Sequence, residues 1–326
     1  MSDTVAWLGE PLTVSNSEIQ TWKSCRRKWW LTYYRELGLK LERVDGPLAL
    51  GTKVHKALEE LYTNGANPIT VLDELYSKDI TKCEQSEDIM LQSKVVDLKK
   101  EQDLAHAMLE GYMHWREEEA IDHGMELVGA EQVVQVKSGV PGVFLRGKMD
   151  QRWERKVDGA RRFRDFKTVQ EFTTLVKILP LDEQMKFYHL LEYLEAMEIS
   201  GGEPQWRTDG AIYTMLRKVK RTATAKPPFY MQIEIGHNMT ELRSMWLRVM
   251  KVCAEIVIAR QALDAGGDHR YLMPPRPSRD CTWSCPFLAA CPMFDDGSNV
   301  EQMLDEHYTH VDPHERYRAE ESKGEA

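Results

Sequence analysis

An Asp-Gly pair stands between two runs of alternating apolar residues, and this arrangement is typical of a β-hairpin. The pair is Asp158-Gly159, and the runs on either side of it are residues 143–153 and 161–167. Asp-Gly is the strongest short-range signal for a two-residue turn, because both turn positions need positive φ angles that these residues tolerate. The sequence therefore predicts two adjacent antiparallel strands joined by a tight turn.

A two-residue turn also fixes which residues of the two strands face each other. Counting outward from the turn predicts Asp150 opposite Lys167, and Arg152 opposite Asp165. Side chains alternate between the faces of a strand, so these four residues are predicted to share one open, charged face. The other face is predicted to be the core side and to hold Leu145, Met149, Trp153 and Phe166.

Asp150 and Asp165 are diagonal neighbours in this register, close enough for their carboxylates to bind one cation. Two carboxylates about 5 Å apart repel by roughly 3 kcal/mol at an effective dielectric near 20, and a divalent cation between them reverses that cost. Lys167 would then lie beside the metal, where it can orient or deprotonate a water and stabilise a phosphate. The backbone carbonyl of Phe166 is a further candidate ligand. The alternative is a surface hairpin with two ion pairs worth less than ~1 kcal/mol each, and for the D-x-K pattern alone that alternative is preferred.

The remaining chain alternates between helical and strand patterns, which predicts an α/β fold with a mixed sheet flanked by helices. Helices are predicted over residues 16–36, 48–62, 68–122 with a polar break at 81–88, 181–197 and 239–263. Strands are predicted over residues 126–136, 143–153, 161–167, 210–219 and 229–235. Residues 1–306 are expected to form one domain, with a helical insertion at 66–125, a cysteine segment at 274–294 and a largely unstructured polar tail at 307–326.

The composition limits the class of protein. A formal net charge of -9 speaks against a strongly basic coat for nucleic acid. No apolar run approaches the ~20 residues of a membrane helix, and the N-terminus lacks a secretion signal, so a cytoplasmic protein is expected. Local basic clusters lie at Arg26, Arg27 and Lys28, and at Arg217, Lys218, Lys220, Arg221 and Lys226. A solvated face is the simpler interpretation of each cluster.

Four of the six cysteines form a distinct pattern. Cys281, Cys285 and Cys291 are spaced C-x3-C-x5-C, and Cys25 lies far away in a basic, aromatic setting. One remote cysteine with a C-terminal triplet suits a four-thiolate iron–sulfur cluster better than the paired knuckles of zinc sites, and zinc is the runner-up. Such a cluster would join the N- and C-terminal segments. Cys253 is predicted to be a core residue and Cys83 a surface thiol.

Four short motifs follow one another along the chain. They are GTKVHKALEELY (G-x-x-x-H), GKMD, DFKT and QMKFY (Q-x-x-x-Y). In this order they resemble the RecB-like branch of the PD-(D/E)XK nucleases over roughly residues 15–292, with Met149 where the superfamily name has Pro. The cysteine pattern looks like that of the iron–sulfur nucleases of this branch, which are the CRISPR-associated RecB-like exonucleases and the nuclease domain of AddB-type helicase–nucleases. Those more often show C-x2-C.

The resemblance implies a restriction-endonuclease-like fold and a set of site residues. It makes His55, Asp150 and Asp165 ligands of Mg2+ or Mn2+, and Lys167 the catalytic lysine. It implies that Gln184 and Tyr188 steady Lys167 and the substrate, and that Cys25, Cys281, Cys285 and Cys291 hold a 4Fe-4S cluster. Stand-alone chains of this kind are common in phage replication and recombination modules.

The leading hypothesis is a metal-dependent DNA exonuclease acting on single-stranded or frayed ends in replication, recombination or repair. Arg26, Arg27 and Trp29 are expected to line the DNA path. The alternative is a DNA-end-binding iron–sulfur adaptor subunit working with a helicase, recombinase or integrase. The insertion at residues 66–125 is either a wall over the strand or structural padding, and the sequence leaves both open.

Overall fold

The structure is a computed structural model that describes residues 5–40 and 47–317. Its helices are α1 (Asn16–Ser24), α2 (Arg26–Trp29), α3 (Pro47–Asn64), α4 (Pro68–Glu84), α5 (Ile89–Ser93), α6 (Val95–Glu118), α7 (Thr173–Ile178), α8 (Glu183–Ser200), α9 (Met239–Asp264), α10 (His269–Leu272), α11 (Cys281–Ser284) and α12 (Val300–His307). Its strands are β1 (Leu12–Ser15), β2 (Leu37–Leu39), β3 (Met125–Lys137), β4 (Val143–Arg155), β5 (Arg161–Val169), β6 (Thr208–Arg217), β7 (Tyr230–Ile235) and β8 (Tyr308–His310). The mixed α/β class predicted from the sequence is confirmed.

The main sheet forks along β4. One edge of β4 pairs with β3, and the other edge is shared by two strands. On that shared edge β1 pairs in parallel with Val143–Arg146, whereas β5 pairs in antiparallel fashion with Gln151–Glu154. Residues 147–150 lie between these two pairings. From β5 the sheet continues through a parallel β6 to an antiparallel β7.

Helices cover both faces of this sheet. One apolar cluster joins the sheet to α1, α8 and α9 and includes Leu191 and Val249. A second cluster joins α3, α4 and α6 to the sheet through Phe166 and Leu216. The predicted insertion at 66–125 supplies most of this second layer. It is therefore part of the packed fold, whether or not it also forms a wall over a DNA strand.

The hairpin register predicted from the sequence is wrong by two residues. Gln151 pairs with Arg164, and the same count places Asp150 opposite Asp165 and not opposite Lys167. Because the error is an even number of residues, each side chain keeps its predicted face at this pairing. The paired segment ends at Gln151 and Arg164, so the two acids lie one residue beyond it, on the side where the strands separate.

A longer loop causes this difference. The loop is residues 156–159, and it is closed by hydrogen bonds between the backbones of Arg155 and Ala160 at 2.9 Å and of Gly159 and Arg155 at 2.8 Å. The Asp158 carboxylate accepts from the Arg155 guanidinium at 2.8 and 2.6 Å. Gly159 has φ +66, the left-handed conformation that glycine adopts most readily. The Asp-Gly pair does lie in the turn, but the hydrogen bonds between Asp158 and Arg155 favour a loop of four residues over one of two.

The expectation of one open charged face is also wrong. Arg152 is buried and pairs with Glu192 at 2.8 Å and with Glu195 on α8. Phe166 contacts Tyr112 on the opposite face, in the second core. Leu145 and Met149 lie in the first core, whereas Phe166 lies in the second core and Trp153 contacts the ring of Tyr62 on α3, so the four residues predicted for one core face do not share it. Asp165 is 4% exposed. A strand pair between two helical layers has no solvent face.

The N-terminal helix is interrupted at Cys25. This residue is extended, with φ -159 and ψ 117, and separates α1 from α2 within the predicted helix of residues 16–36. Ser15 caps α1 by accepting from the backbone N–H of Glu18 at 3.2 Å. The Glu18 side chain accepts from Nε1 of Trp29 at 2.9 Å. The break turns Cys25 away from the course of a continuous helix.

The C-terminal segment is more ordered than the sequence predicts. Helix α12 is followed by β8, which pairs with β2, and Tyr308 is buried. The predicted tail from residue 318 onward lies outside the described residues. Cys253 is buried as predicted, but Cys83 is 1% exposed in the second core, so its prediction as a surface thiol is wrong. In the described part of the chain, no helix has the length and apolar character to cross a membrane.

Candidate active site

A cavity of about 690 Å³ opens where β4 and β5 diverge. It is lined by Gly51, Thr52, His55, Lys56 and Glu59 from α3, Glu131 from β3, Lys148 and Asp150 from β4, Asp165, Phe166, Lys167 and Thr168 from β5, Gln184 and Tyr188 from α8, and Lys218 after β6. The predicted residues His55, Asp150, Asp165, Lys167, Gln184 and Tyr188 are thus all brought together. The two helical layers and the fork of the sheet create the cavity.

Asp150 bridges the two strands and α3. One oxygen of its carboxylate accepts the backbone N–H of Phe166 at 3.0 Å and lies 3.2 Å from Nδ1 of His55. Burial raises the pKa of Asp150, but the hydrogen bond and charge of His55 outweigh it, so the pKa is lowered. Burial lowers the pKa of His55, and its contact with Asp150 outweighs that effect and raises it. The contact therefore favours an ionised acid beside a histidine that retains its proton more readily.

Asp165 and Lys167 form the second close pair. Nζ of Lys167 lies 2.8 Å from Oδ2 of Asp165. Burial raises the pKa of Asp165 to about 6, and the charge of Asp150 adds to this rise against the opposing charge of Lys167. The pKa of Lys167 is raised, because Asp165 outweighs the effect of burial. Two buried carboxylates share one pocket, and the second of them binds its proton unusually tightly.

Gln184 joins Lys167 to Tyr188. Its Oε1 accepts from Nζ of Lys167 at 3.1 Å, and its Nε2 donates to the hydroxyl of Tyr188 at 3.3 Å. Gln184 and Tyr188 are one turn apart on α8, so they lie on the same helix face. Asp182 caps this helix by accepting from the backbone of Gln184 at 2.8 Å. The Q-x-x-x-Y motif therefore holds the lysine from the α8 side.

The glycine of the G-x-x-x-H motif stands where α3 passes close to β5. A Cβ atom at Gly51 would lie 3.3 Å from Oγ1 of Thr168, which is tighter than most such contacts. A larger residue would move this turn of α3 away from the strand. Since His55 is one turn further along α3, Gly51 helps to set the distance between His55 and Asp150.

Several residues of the cavity were not predicted from the sequence. Glu131 and Lys148 form an ion pair of 2.7 Å, and Lys56 pairs with Glu59 at 2.7 Å. Lys148 is two residues before Asp150 on one strand, so strand alternation was a signal that could have found it. Glu131 comes from β3 and has no local signal. Lys218 follows β6, and its only signal was membership of the basic cluster at residues 217–226.

The comparison with family models decides the family. A model of the PD-(D/E)XK nuclease superfamily matches residues 13–292, which include both acids and the lysine of the cavity. The chain belongs to the PD-(D/E)XK nuclease superfamily. Its mixed sheet between helices is consistent with the fold of that superfamily, and membership suggests a metal-dependent nuclease that acts on DNA.

Two further comparisons add no argument about this PD-(D/E)XK protein. A solved structure titled "Crystal structure of SSO0001" covers 88% of this chain and 88% of its own, with 11% sequence identity and a TM-score of 0.30. A likeness at that TM-score carries no weight for fold or activity. No curated protein matches the chain.

The donor set of the PD-(D/E)XK site fits a hard divalent cation. Asp150 and Asp165 supply carboxylate oxygens, which Mg2+ and Mn2+ prefer, and His55 adds an imidazole nitrogen. Burial, with the charge of Asp150 adding to it, raises the pKa of Asp165, and a bound cation would oppose both effects. However, within residues 5–40 and 47–317 no three His, Cys, Asp or Glu side chains are grouped to hold a metal ion.

The four predicted cluster cysteines meet in a separate cavity of about 190 Å³. Cys25, Cys281, Cys285 and Cys291 all line it, together with apolar residues that include Leu31 and Phe287. The backbone N–H groups of Arg276 and Ser278 each donate to a cysteine sulfur, at 3.4 Å to Cys25 and at 3.4 Å to Cys281. Hydrogen bonds to sulfur and an apolar shell are features of iron–sulfur sites.

The structure does not support Arg27 and Trp29 as DNA contacts. Trp29 is fully buried against Glu18, and Arg27 is 1% exposed with two hydrogen bonds to Asp295 of 2.6 and 2.9 Å. Arg27 instead ties α2 to the C-terminal cysteine segment. Arg26 is half-buried, pairs with Glu255 at 3.0 Å and stacks on Trp22, so its DNA contact stays a prediction.

Proposed function

We propose that this protein is a metal-dependent DNA exonuclease acting on single-stranded or frayed ends, in DNA repair or recombination. The observation that carries the proposal is the meeting of Asp150, Asp165 and Lys167 in one cavity with His55 and Gln184. Membership of the PD-(D/E)XK superfamily supports the nuclease class. A helicase or recombination protein is the proposed partner.

His55, Asp150, Asp165 and the backbone carbonyl of Phe166 would hold the Mg2+ or Mn2+ ion. The bound ion would polarise the phosphate and lower the pKa of an attacking water. Asp150 is already oriented for this role by the N–H of Phe166 and by His55. Asp165 would lose the proton that burial helps it to retain.

Lys167 would stabilise the charge that develops on the phosphate. Its raised pKa keeps it an ammonium group, which acts as a hydrogen-bond donor and a charge and not as a base. Gln184 fixes its position through the 3.1 Å hydrogen bond, and Tyr188 fixes Gln184. Precise placement of such a group is worth about 100-fold in rate.

The shape of the site supports a single strand as the substrate. Asp165 is only 4% exposed, and the site lies between the α3 and α8 layers. A duplex presents its phosphates on the outside of a wide, stiff rod, whereas a single strand can bend into a cavity. Frayed ends supply such strands.

Cys25, Cys281, Cys285 and Cys291 are proposed to hold a 4Fe-4S cluster, with zinc as the second choice. A cluster at this position would cross-link α1 and α2 to the C-terminal segment, next to the Arg27–Asp295 pair. Its role is structural, since its cavity and the nuclease cavity have no lining residue in common.

End-labelled single-stranded DNA with Mn2+ tests the proposal. The wild-type protein is expected to degrade linear strands from an end and to leave circular single strands intact. Asp165→Asn is expected to lose at least about 100-fold of this activity, whereas Asp103→Asn, an exposed site on α6, is expected to retain it. Equal degradation by wild type and Asp165→Asn would remove the nuclease assignment. DNA binding without cleavage would favour the adaptor function instead.

A further inference from the structure

The basic cluster at residues 217–226 separates into side chains with different roles. Arg217 donates to two backbone carbonyls, and Arg221 stacks on Phe229 with 3.9 Å between guanidinium and ring centre. Both arginines therefore hold the segment after β6 in place. Lys218 does not share this role, because its side chain lines the nuclease cavity.

Lys218 also differs from the other lysines of the cavity. Those lysines are each neutralised by an acid: Lys56 by Glu59 at 2.7 Å, Lys148 by Glu131 at 2.7 Å and Lys167 by Asp165 at 2.8 Å. Lys218 forms no ion pair with any carboxylate in the described part of the chain. It is thus the cavity lysine whose charge is available to an anion.

The surroundings of Lys218 favour an anionic ligand. Burial lowers its pKa, against a weaker opposing effect of Glu101. A half-buried ammonium group without a counter-charge is costly, and an anion bound there removes that cost. The phosphate groups of a nucleic-acid backbone carry the negative charge that would neutralise this ammonium group.

The position of Lys218 relative to Lys167 suggests which anion it contacts. The backbone N–H of Lys218 donates to the carbonyl of Val169 at 2.7 Å. Lys167 is paired with Met215, and Lys218 is three residues beyond Met215, so the backbones of the two lysines are about 10 Å apart along the strands. Both long side chains line the same cavity, where they can contact neighbouring phosphates of an extended single strand.

We infer that Lys218 binds the backbone phosphate next to the one that is cleaved. The inference rests on the proposed nuclease function and deepens it by naming a substrate contact. The ammonium group would donate to a non-bridging oxygen of that phosphate and fix the register of the strand over Asp150, Asp165 and Lys167. Lys218 is thus a positioning residue that contacts substrate away from the reacting bond.

Binding of a single-stranded oligonucleotide to the inactive Asp165→Asn protein measures this contact. Adding Lys218→Gln is expected to raise the dissociation constant about tenfold and to reduce the slope of log affinity against log salt by about 0.7. Adding Lys156→Gln is the matched control, because Lys156 is exposed in the hairpin loop, about 20 Å from Asp150 along the strand. This control is expected to change the dissociation constant less than about twofold.

Oligonucleotides with one methylphosphonate separate a phosphate contact from a structural effect. A methylphosphonate removes the charge of a single phosphate. When the methylphosphonate replaces the phosphate next to the cleaved bond, Lys218→Gln is expected to cause no further loss of affinity. At every other methylphosphonate position, Lys218→Gln is expected to weaken binding further. Lys218→Met, which keeps the aliphatic stem, is expected to behave as Lys218→Gln does and guards against misfolding of either variant.

The outcomes distinguish this role from the nuclease proposal. Equal dissociation constants and salt slopes for the Lys218 and Lys156 variants, or additive losses at every methylphosphonate position, overturn the role of Lys218 alone. Cleavage by the wild-type protein in Mn2+ is measured in parallel. If the wild-type protein neither cleaves nor binds DNA, the nuclease proposal and the Lys218 contact both fail.

Discussion

Nζ of Lys167 donates a 3.1 Å hydrogen bond to Oε1 of Gln184. Gln184 lies on α8, the helix that closes one side of the nuclease cavity. The same ammonium group lies 2.8 Å from Asp165. The lysine is therefore held by its own strand and by α8 together. Small movements of α8 relative to the sheet would move the charge that the reaction requires.

Gln184→Leu tests this support. The change removes the acceptor for Lys167 while keeping the volume of the side chain close to that of glutamine. The turnover rate is expected to fall about 10- to 100-fold, because the ammonium group loses its fixed position, and DNA binding is expected to change little. Gln135→Leu, at an exposed site on β3, is the control in the same steady-state assay. A normal turnover rate for Gln184→Leu would show that the hydrogen bond does not matter.

Metal affinity is expected to depend on pH through Asp165. Burial raises its pKa to about 6 in the protein without metal, so below that pH a proton competes with the cation. The affinity for Mn2+ should therefore fall about tenfold per pH unit below about 6 and level off above it. His55 must also be neutral to bind, and its raised pKa makes the fall steeper. Titration calorimetry from pH 5 to pH 8 checks this, and a pH-independent affinity would contradict it.

The elements that carry the site could be predicted because their periodicity is local. The alternation around Asp150 and Asp165 and the helical spacing of Gln184 and Tyr188 place these side chains without knowledge of the rest of the fold. The register was wrong because side-chain hydrogen bonds of Asp158 lengthen the loop, and counting from the turn cannot include them.

Burial was the part that the sequence could not supply. Trp29 and Arg27 have the composition of a DNA-binding helix, but other segments of the chain cover them: Glu18 holds Trp29 and Asp295 holds Arg27. Lys218 enters the cavity because β6 pairs in parallel with β5, a contact between strands about 40 residues apart. Contacts of this kind leave no periodic signal in either segment.

The cysteine cavity predicts a simple metal analysis. Protein purified without oxygen is expected to contain about four irons per chain and to absorb visible light, as a 4Fe-4S cluster does. Cys281→Ser is expected to lose most of the iron, because a thiolate ligand is removed. Cys83→Ala, whose cysteine lies in the other core, is expected to retain iron even if stability falls. One zinc per chain without iron would favour the zinc site instead.

Removal of the Asp295 carboxylate is predicted to lower the stability of the protein strongly, because it leaves the buried charge of Arg27 without its partner. Arg27 is buried, so Asp295→Ala leaves its guanidinium group with little besides the carbonyl of Cys291 at 3.1 Å. We expect the free energy of unfolding to fall by about 3 kcal/mol. Glu301→Ala removes the exposed partner of Arg35 and should cost under about 1 kcal/mol. Urea unfolding compares the two variants with the metal site in the same state. Similar losses would show that the burial of Arg27 is unimportant.

The raised pKa of the buried Glu18 leads us to expect that the protein loses stability as the pH rises toward neutrality. It is fully buried, and burial raises its pKa to about 7, against the charge of Arg260 and the hydrogen bond from Trp29. Between pH 4.5 and 7 the folded chain keeps this proton whereas the unfolded chain releases it, so the free energy of unfolding falls over this range, by up to about 3 kcal/mol.

Glu18→Gln removes this proton and should remove its pH dependence. A neutral amide can still accept from Trp29, and it has no charge to lose to water on unfolding. The variant is therefore expected to exceed the wild type in stability at pH 8 and to lose the advantage near pH 4.5, where both chains hold the neutral form. Glu203→Gln, at an exposed position after α8, provides the control for a change of net charge. Urea unfolding at intervals from pH 4.5 to pH 8 measures the difference, and parallel curves for wild type and Glu18→Gln would mean that Glu18 is ionised throughout, despite its burial.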